Sequence, residues 1–344
     1  MTISRAGLLR GALASTALLP AAALASTDTA GQAFRADLAP GGAHPWTGVP
    51  RIGGGPLRFA VIGDHTGIGR PGVFDQAMVQ LSWLQPDFVL SVGDLIEGYT
   101  TDRAKIAGQW AAVEASVAKL NCPFVYAMGN HDVDNAETLD AWRERRGAAY
   151  YSFTYKGALF LILNTEDPPT PMPDKTAAQF YSLVDLMQSD PDKAEQTIDA
   201  RIMSDTFGRK GEYSSTEVVR FSDKQLGWIR DTLAAHPRPQ WTFVVLHKPA
   251  WKMRSPDFAK VQALLAGRSH TVFAGHTHYF THEVFDGADY INMATTGGIR
   301  QQYGPGAMDH TMVVTLTRSG PLYANTRFNG LMNVAGETGQ VRAY

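Results

Sequence analysis

Cysteine is nearly absent: Cys122 is the only one in 344 residues, so no intrachain disulfide can brace the fold. A chain of this length buries enough core to manage without one, as one large domain or two small ones. Cys122 sits in Asn121-Cys122-Pro123-Phe124-Val125 at a strand entrance, with none of the cationic neighbours that activate a thiol, and reads as an inert, buried group. An excess of one charge is missing too. The formal net charge is −2, so the bulk balance gives no sign of a nucleic-acid-binding surface. A membrane-length apolar run is also lacking, because the stretch Leu8 to Leu24 is interrupted by Arg10, Ser15 and Pro20. What remains, 44% hydrophobic and 19% charged residues, describes an ordinary globular protein.

The first 25 residues differ from the rest. Arg5 and Arg10 flank a modest apolar run that ends in the small residues Ala23-Leu24-Ala25, the layout of a secretory signal peptide. Cleavage near Ala25 is expected, which leaves no membrane span and makes the mature protein exported, periplasmic or secreted. Ser4-Arg5-Ala6-Gly7-Leu8-Leu9-Arg10 is similar to a twin-arginine signal without its second arginine, so the route of export stays open. Loss of Arg5 and Arg10 leaves 29 basic against 33 acidic residues, a formal charge of −4.

Residues 26–55, with Gly41-Gly42 and Gly53-Gly54-Gly55, form a glycine-rich lead-in that reads as a loose arm. A rhythm then starts and carries one domain over 56–344. Arg58 to Ile62, Asp87 to Val92 and Phe124 to Met128 are short apolar runs. Phe74, Met78, Leu81 and Leu84 lie between the first two at helical spacing; Ile106, Trp110, Val113, Val117 and Leu120 lie between the second two. Strand, helix, strand, helix, strand with continuous apolar strands predicts an α/β fold with parallel sheet covered on both faces. Later runs at Leu159–Leu163, Trp241–Leu246, Thr271–Ala274, Tyr290–Ala294 and Met312–Leu316 continue it, the last of them read as antiparallel strands at a sheet end. The stretch 165–220 has no strand pattern. It opens on the proline-rich loop Asp167 to Pro173 and continues as polar helical text, an insertion that is either a lid or a plain excursion.

Metal-competent residues recur where these strands end, which is where parallel α/β sheets place their sites. The blocks are Gly63-Asp64-His65-Thr66-Gly67, Gly93-Asp94-Leu95-Ile96-Glu97-Gly98, Gly129-Asn130-His131-Asp132, Leu246-His247-Lys248-Pro249 and Gly275-His276-Thr277-His278. One Gly-Asp alone means little; five such blocks in this order, each after an apolar run, specify a site. Carboxylate, amide and imidazole donors suit manganese, zinc or iron, with iron(III) an option in one position. A carboxylate can bridge two such ions about 3.5–4 Å apart, which together hold a phosphate and generate hydroxide.

The pattern resembles that of the calcineurin-like metallophosphoesterases: D-x-H, GD-x-x-D/N/E, GNH-D/E, a histidine after a strand, and GH-x-H. The resemblance spans roughly residues 57–282 and implies a two-sheet αββα sandwich of mixed sheets flanked by helices. It implies two divalent metal ions, with Asp94 bridging them, Asp64 and His278 on the first, and Asn130, His247 and His276 on the second. It implies that His131 contacts the scissile phosphate, as general acid or as electrostatic stabiliser, and that Glu97 orients His131. The activity implied is phosphomonoester or phosphodiester hydrolysis by a hydroxide between the ions.

The first block departs from the family pattern, with Thr66 where the second histidine belongs. His65 is adjacent, but neighbouring side chains on an extended chain face opposite ways; it stands as a ligand, a phosphate contact or a bystander. Purple acid phosphatases also lack this histidine and use a tyrosine three residues after the bridging Asp, where this chain has Glu97; Tyr99 lies two further on. The departure opens a second reading, a metal- or phosphate-binding protein with an incomplete first site and little turnover. Arg300, after the glycines of Thr295-Thr296-Gly297-Gly298, is an additional candidate for gripping a substrate oxyanion. His282 is a candidate pocket residue, while His44, His236, His270 and His310 read as structural. The expected partner is a small-molecule or macromolecular phosphoester, not a nucleic acid.

Overall fold

The computed structural model describes residues 33–38, 42–51, 53–204 and 218–331. The expected signal peptide lies outside the described residues, as do parts of the lead-in and of the insertion.

The strands are β1 (Arg35–Ala36), β2 (Arg58–Ile62), β3 (Val89–Ser91), β4 (Phe124–Val125), β5 (Tyr151–Tyr155), β6 (Ala158–Ile162), β7 (Trp241–Val245), β8 (His270–Ala274), β9 (Thr281–Phe285), β10 (Ala288–Asn292), β11 (His310–Thr317) and β12 (Gly320–Arg327). They form a seven-stranded sheet ordered β1-β5-β6-β7-β8-β10-β9 and a five-stranded sheet ordered β12-β11-β2-β3-β4. The larger sheet has a parallel centre, β6-β7-β8-β10, with antiparallel strands on either side; the smaller has β2-β3-β4 parallel at one end and β11 and β12 antiparallel at the other.

Strand periodicity explains the layering. Phe59 and Val61 of β2 face the other sheet, whereas Ala60 and Ile62 face helices. Phe160 and Ile162 of β6 likewise face inward while Leu159 and Leu161 face outward. Both faces of the central strands are covered, so their sequences are apolar throughout rather than alternating. Phe59, Phe88, Phe153, Phe160, Phe243 and Phe273 meet between the sheets in edge and stacked contacts. Each buried ring contributes roughly 1.5–3 kcal/mol.

Helices α1 (Val73–Leu84), α2 (Arg103–Val117) and α3 (Ala136–Arg146) cover the smaller sheet. Asp102 caps α2 by accepting from Ala104 and Lys105 N–H, and Asn135 with Thr138 forms a capping box on α3. Further along, α4 (Asp174–Ser189) and α5 (Pro191–Ser204) make up the insertion, and α6 (Asp223–Ala235) and α7 (Phe258–Leu265) cover the larger sheet. The result is an αββα sandwich of two mixed sheets.

Two expectations need correction. The lead-in is not a loose arm where it is described: β1 pairs with β5, Trp46 bridges to Val125, and the Phe34 ring stacks on Phe153 at 4.9 Å. Its few aromatic anchors outweigh the glycine-rich text around them. The late strands are antiparallel at the sheet ends, as β10 with β9 and β11 with β12, but not throughout. β10 lies parallel to β8 because β9 intervenes, and β11 crosses to the other sheet, antiparallel to β2 and β12. Cys122 is half-buried, and burial together with Asp87 pushes its thiol up to about 12, an inert state. No helix among the described residues is long and apolar enough to cross a membrane.

Candidate metal centre

The carboxyl ends of β2, β3 and β4 from one sheet meet those of β7 and β8 from the other. Asp64 follows β2, Asp94 follows β3, Asn130 and His131 follow β4, His247 follows β7, and His276 and His278 follow β8. The approach is close enough to demand glycine beside the donors: a Cβ on Gly129 would lie 2.2 Å from Asp94 Oδ1, and one on Gly275 2.2 Å from Asp64 Oδ1. Asp94, His276 and His278 themselves adopt left-handed backbone, with φ of 55°, 70° and 50°. Such conformations persist only where surrounding contacts impose them, and they cluster at functional sites.

Those contacts are visible. His247 Nδ1 meets the Val92 carbonyl at 3.0 Å, His131 Nδ1 meets the Glu97 carbonyl at 2.9 Å, and His278 Nδ1 meets the Ile299 carbonyl. A carbonyl only accepts, so each ring carries its proton on Nδ1 and turns Nε2 inward, the arrangement of metal-ligating histidines. His247 Nε2 then faces Asp94 Oδ2 at 3.1 Å and Asn130 Oδ1 at 3.0 Å. His278 Nε2 faces Asp64 Oδ2 at 3.3 Å, and His131 Nε2 is 3.9 Å from Asp94 Oδ2. Donor atoms of Asp94, His247 and His276 all lie within 4.8 Å of one another. Imidazole nitrogens, carboxylate oxygens and an amide oxygen converge on one space, and that space can hold a cation.

Residues 57–280 match the family model described as calcineurin-like phosphoesterase. The chain belongs to the calcineurin-like phosphoesterase family. A "Probable cyclic nucleotide phosphodiesterase" of Rhodococcus erythropolis is 26% identical over 216 residues, 60% of this chain and 56% of that protein. "Serine/threonine-protein phosphatase CPPED1" of Rattus norvegicus is 34% identical over 86 residues, 24% of this chain and 28% of that one. The chain thus spans about half the length of the first of these curated relatives and less of the second. Among solved structures, a dimetal phosphatase from Danio rerio is similar in fold, with a TM-score of 0.51 at 15% identity over 79% of this chain and 99% of that one.

The dimetal fold of this family implies divalent metals, and the residues present fit them. Asp64 Oδ1 is buried with no hydrogen-bond partner, a state that is costly unless the oxygen has a ligand to bind. Burial would lower the His247 ring, yet Asp94, with Asp64 and Glu166, raises it to about 10. Asp94 is correspondingly held well below the usual carboxylate range against its own burial, by His247 and His131. His276 stays neutral, lowered by burial and by His247 and Lys248. A site that stabilises positive charge this strongly beside a neutral imidazole suits a metal ion.

The other sequence candidates make contacts different from those expected. His65 turns from the cavity, its ring stacked on Phe74 at 4.1 Å and burial lowering it to about 4. Thr66 fills no ligand position; its hydroxyl lies 2.9 Å from the Asp94 carbonyl and 2.8 Å from that of Ile96. The expected contact of the Glu97 carboxylate with His131 is not made. That carboxylate accepts from Ile68 and Gly69 N–H at 3.1 and 2.6 Å, and it is the Glu97 backbone carbonyl that orients His131. Arg300 is paired with Asp199 of α5 at 3.3 Å. His282 lies on the edge strand β9, paired with Asp289 at 2.7 Å. On α3, Arg146 packs over the Tyr126 ring at 3.9 Å.

Sequence reasoning passed over two features. Asp132, the last residue of Gly-Asn-His-Asp, accepts backbone N–H groups from Asp94, Leu95, Ile96 and Gly129; the motif itself carried that signal. Lys248 and Glu166 form a buried ion pair of 2.8 Å beside His247, and nothing in the sequence linked them.

Proposed function

We propose that this protein is an exported, metal-dependent phosphoester hydrolase. The observation that carries the reading is Asp94: one carboxylate facing both the His247–Asn130 side and His131, with Asp64 and His278 adjoining. Asp64, Asp94 and His278 would hold the first ion; Asp94, Asn130, His247 and His276 would hold the second. When bound, such a pair supplies Lewis acidity and a hydroxide nucleophile at neutral pH. The chain supplies orientation. His131, its Nδ1 tied to the Glu97 carbonyl and its backbone N–H to Asp94 Oδ1 at 2.9 Å, presents Nε2 at the cavity, where it can protonate a leaving oxygen or steady a phosphate oxygen. The cyclic nucleotide phosphodiesterase and protein phosphatase names of the relatives bracket diesters and monoesters.

A lid role for α4 and α5 is supported by their contacts. Leu183, Val184, Met187, Ala194 and Ile198 pack on Ile68 and Ile299, which flank the site. Export rests on the composition of residues 1–25, and N-terminal sequencing of the mature protein tests it: a start near Ser26 supports cleavage, and an intact Met1 removes it.

Thr66 supports a second reading, a binding protein with one ion and little turnover, since no imidazole of the first block faces Asp64. Elemental analysis of the purified protein, paired with hydrolysis of a chromogenic phosphomonoester and phosphodiester in manganese, zinc or iron, separates the two. Two ions with turnover support the hydrolase; one ion with neither ester cleaved replaces it with the binding protein.

A further inference from the structure

We infer that Tyr99 is a positioning residue for the second ion, one that holds the amide of Asn130 with its carbonyl oxygen toward the cavity; the inference rests on the metal assignment above. The sequence offered Tyr99 only as a substitute ligand for the first ion. The structure puts its hydroxyl on the other side, accepting from Asn130 Nδ2 at 2.6 Å while Asn130 Oδ1 lies 3.0 Å from His247 Nε2. A primary amide offers an acceptor at one end and donors at the other, so its orientation decides whether a cation meets a lone pair or a hydrogen. With the phenol oxygen receiving Nδ2, the orientation that serves a cation also gives the amide nitrogen an acceptor.

Tyr99 is itself held in place. Its backbone is left-handed, φ 47°, and its N–H donates to Asp134 Oδ1 at 3.0 Å. Its ring lies 4.4 Å from that of His131 and meets Phe180 of α4 edge-on at 5.4 Å. Next to Phe180, the Tyr181 hydroxyl donates to the Gly98 carbonyl, and Lys105 Nζ lies 3.1 Å over the Tyr181 ring. The insertion therefore grips Tyr99 and the residue before it, and a strained backbone kept by so many contacts marks a position that serves the site.

Tyr99→Phe removes the hydroxyl and keeps the ring against His131 and Phe180. The experiment titrates metal-free wild type, Y99F and N130A with Mn2+ and Zn2+ against a fluorescent chelator, with no substrate present. We expect Y99F to weaken one of two binding steps by about 10- to 100-fold, the range for removing a partner of a metal ligand, with the other step unchanged and N130A weakening that same step. Wild-type titration by Y99F with the step lost in N130A overturns the role of Tyr99 alone. Wild-type titration by both variants overturns the assignment of Asn130 to a metal, and this inference with it. Equal weakening of both steps in Y99F, with a lowered thermal midpoint of the metal-free protein, reduces Tyr99 to a structural residue.

Discussion

The carboxylate of Asp132 receives the backbone N–H of Asp94 at 2.8 Å, and with it those of Leu95, Ile96 and Gly129. Asp94 sits in left-handed backbone, and this one side chain collects the donors that such a turn leaves pointing inward. Asp132→Ala strands them in a fully buried place. The expected loss is about 3 kcal/mol or more, since each abandoned buried donor costs roughly 1–3 kcal/mol. Chemical denaturation of the metal-free variant measures it, and an unchanged midpoint would show that the loop holds itself.

His131 touches the proposed reaction centre without belonging to the expected ligand set. His131→Asn should lower kcat by about 10²- to 10⁴-fold, the usual contribution of a positioned proton donor, while elemental analysis still finds the wild-type metal content. Loss of metal in step with activity would make His131 a ligand instead.

Thr66 is where the first block departs from its family, and its hydroxyl ties the Asp94 and Ile96 carbonyls together. Thr66→Val keeps the shape and removes the bond. A destabilisation of about 1–3 kcal/mol is expected, measured by urea denaturation. A variant as stable as the wild type would leave Thr66 without a structural reason to stand there.

His310 gives a pH dependence with a definite sign. Its Nδ1 bonds Asn325 Oδ1 at 2.8 Å and its Nε2 accepts from Ala294 N–H at 2.9 Å, so the neutral ring is fully used. Burial lowers it from 6.5 to about 4, against the opposing pull of Asn325 and Asp309. Between these values the unfolded chain binds a proton that the native protein refuses. The stabilisation is present above pH 6.5 and fades as pH falls toward 4, by on the order of 3 kcal/mol. His310→Gln should flatten the stability–pH curve across that window relative to wild type; parallel curves would assign the acid sensitivity to other groups.

The sequence by itself determined the order of the site. Asp64, Asp94, Asn130, His131, His247, His276 and His278 each end an apolar run, and a parallel strand delivers whatever follows it to the same edge of the sheet. The rhythm gave an α/β fold with parallel sheet covered on both faces, and the family resemblance implied the αββα sandwich. Only the tertiary structure decided which way side chains next to those residues turn. His65 faces α1 and Thr66 faces the Asp94 loop. Glu97 orients His131 through its carbonyl rather than its carboxylate, a choice that periodicity does not encode because it turns on a few backbone angles in a loop. The lead-in packed against the sheets because Phe34 and Trp46 found Phe153 and Val125, residues far away in the chain. Tyr99 came to Asn130, and Lys248 to Glu166, through long-range contacts of the same kind. Strand order and strand ends are local properties that a sequence carries in its spacing; the partner of a loop side chain is set by whichever distant segment the fold brings within hydrogen-bonding reach.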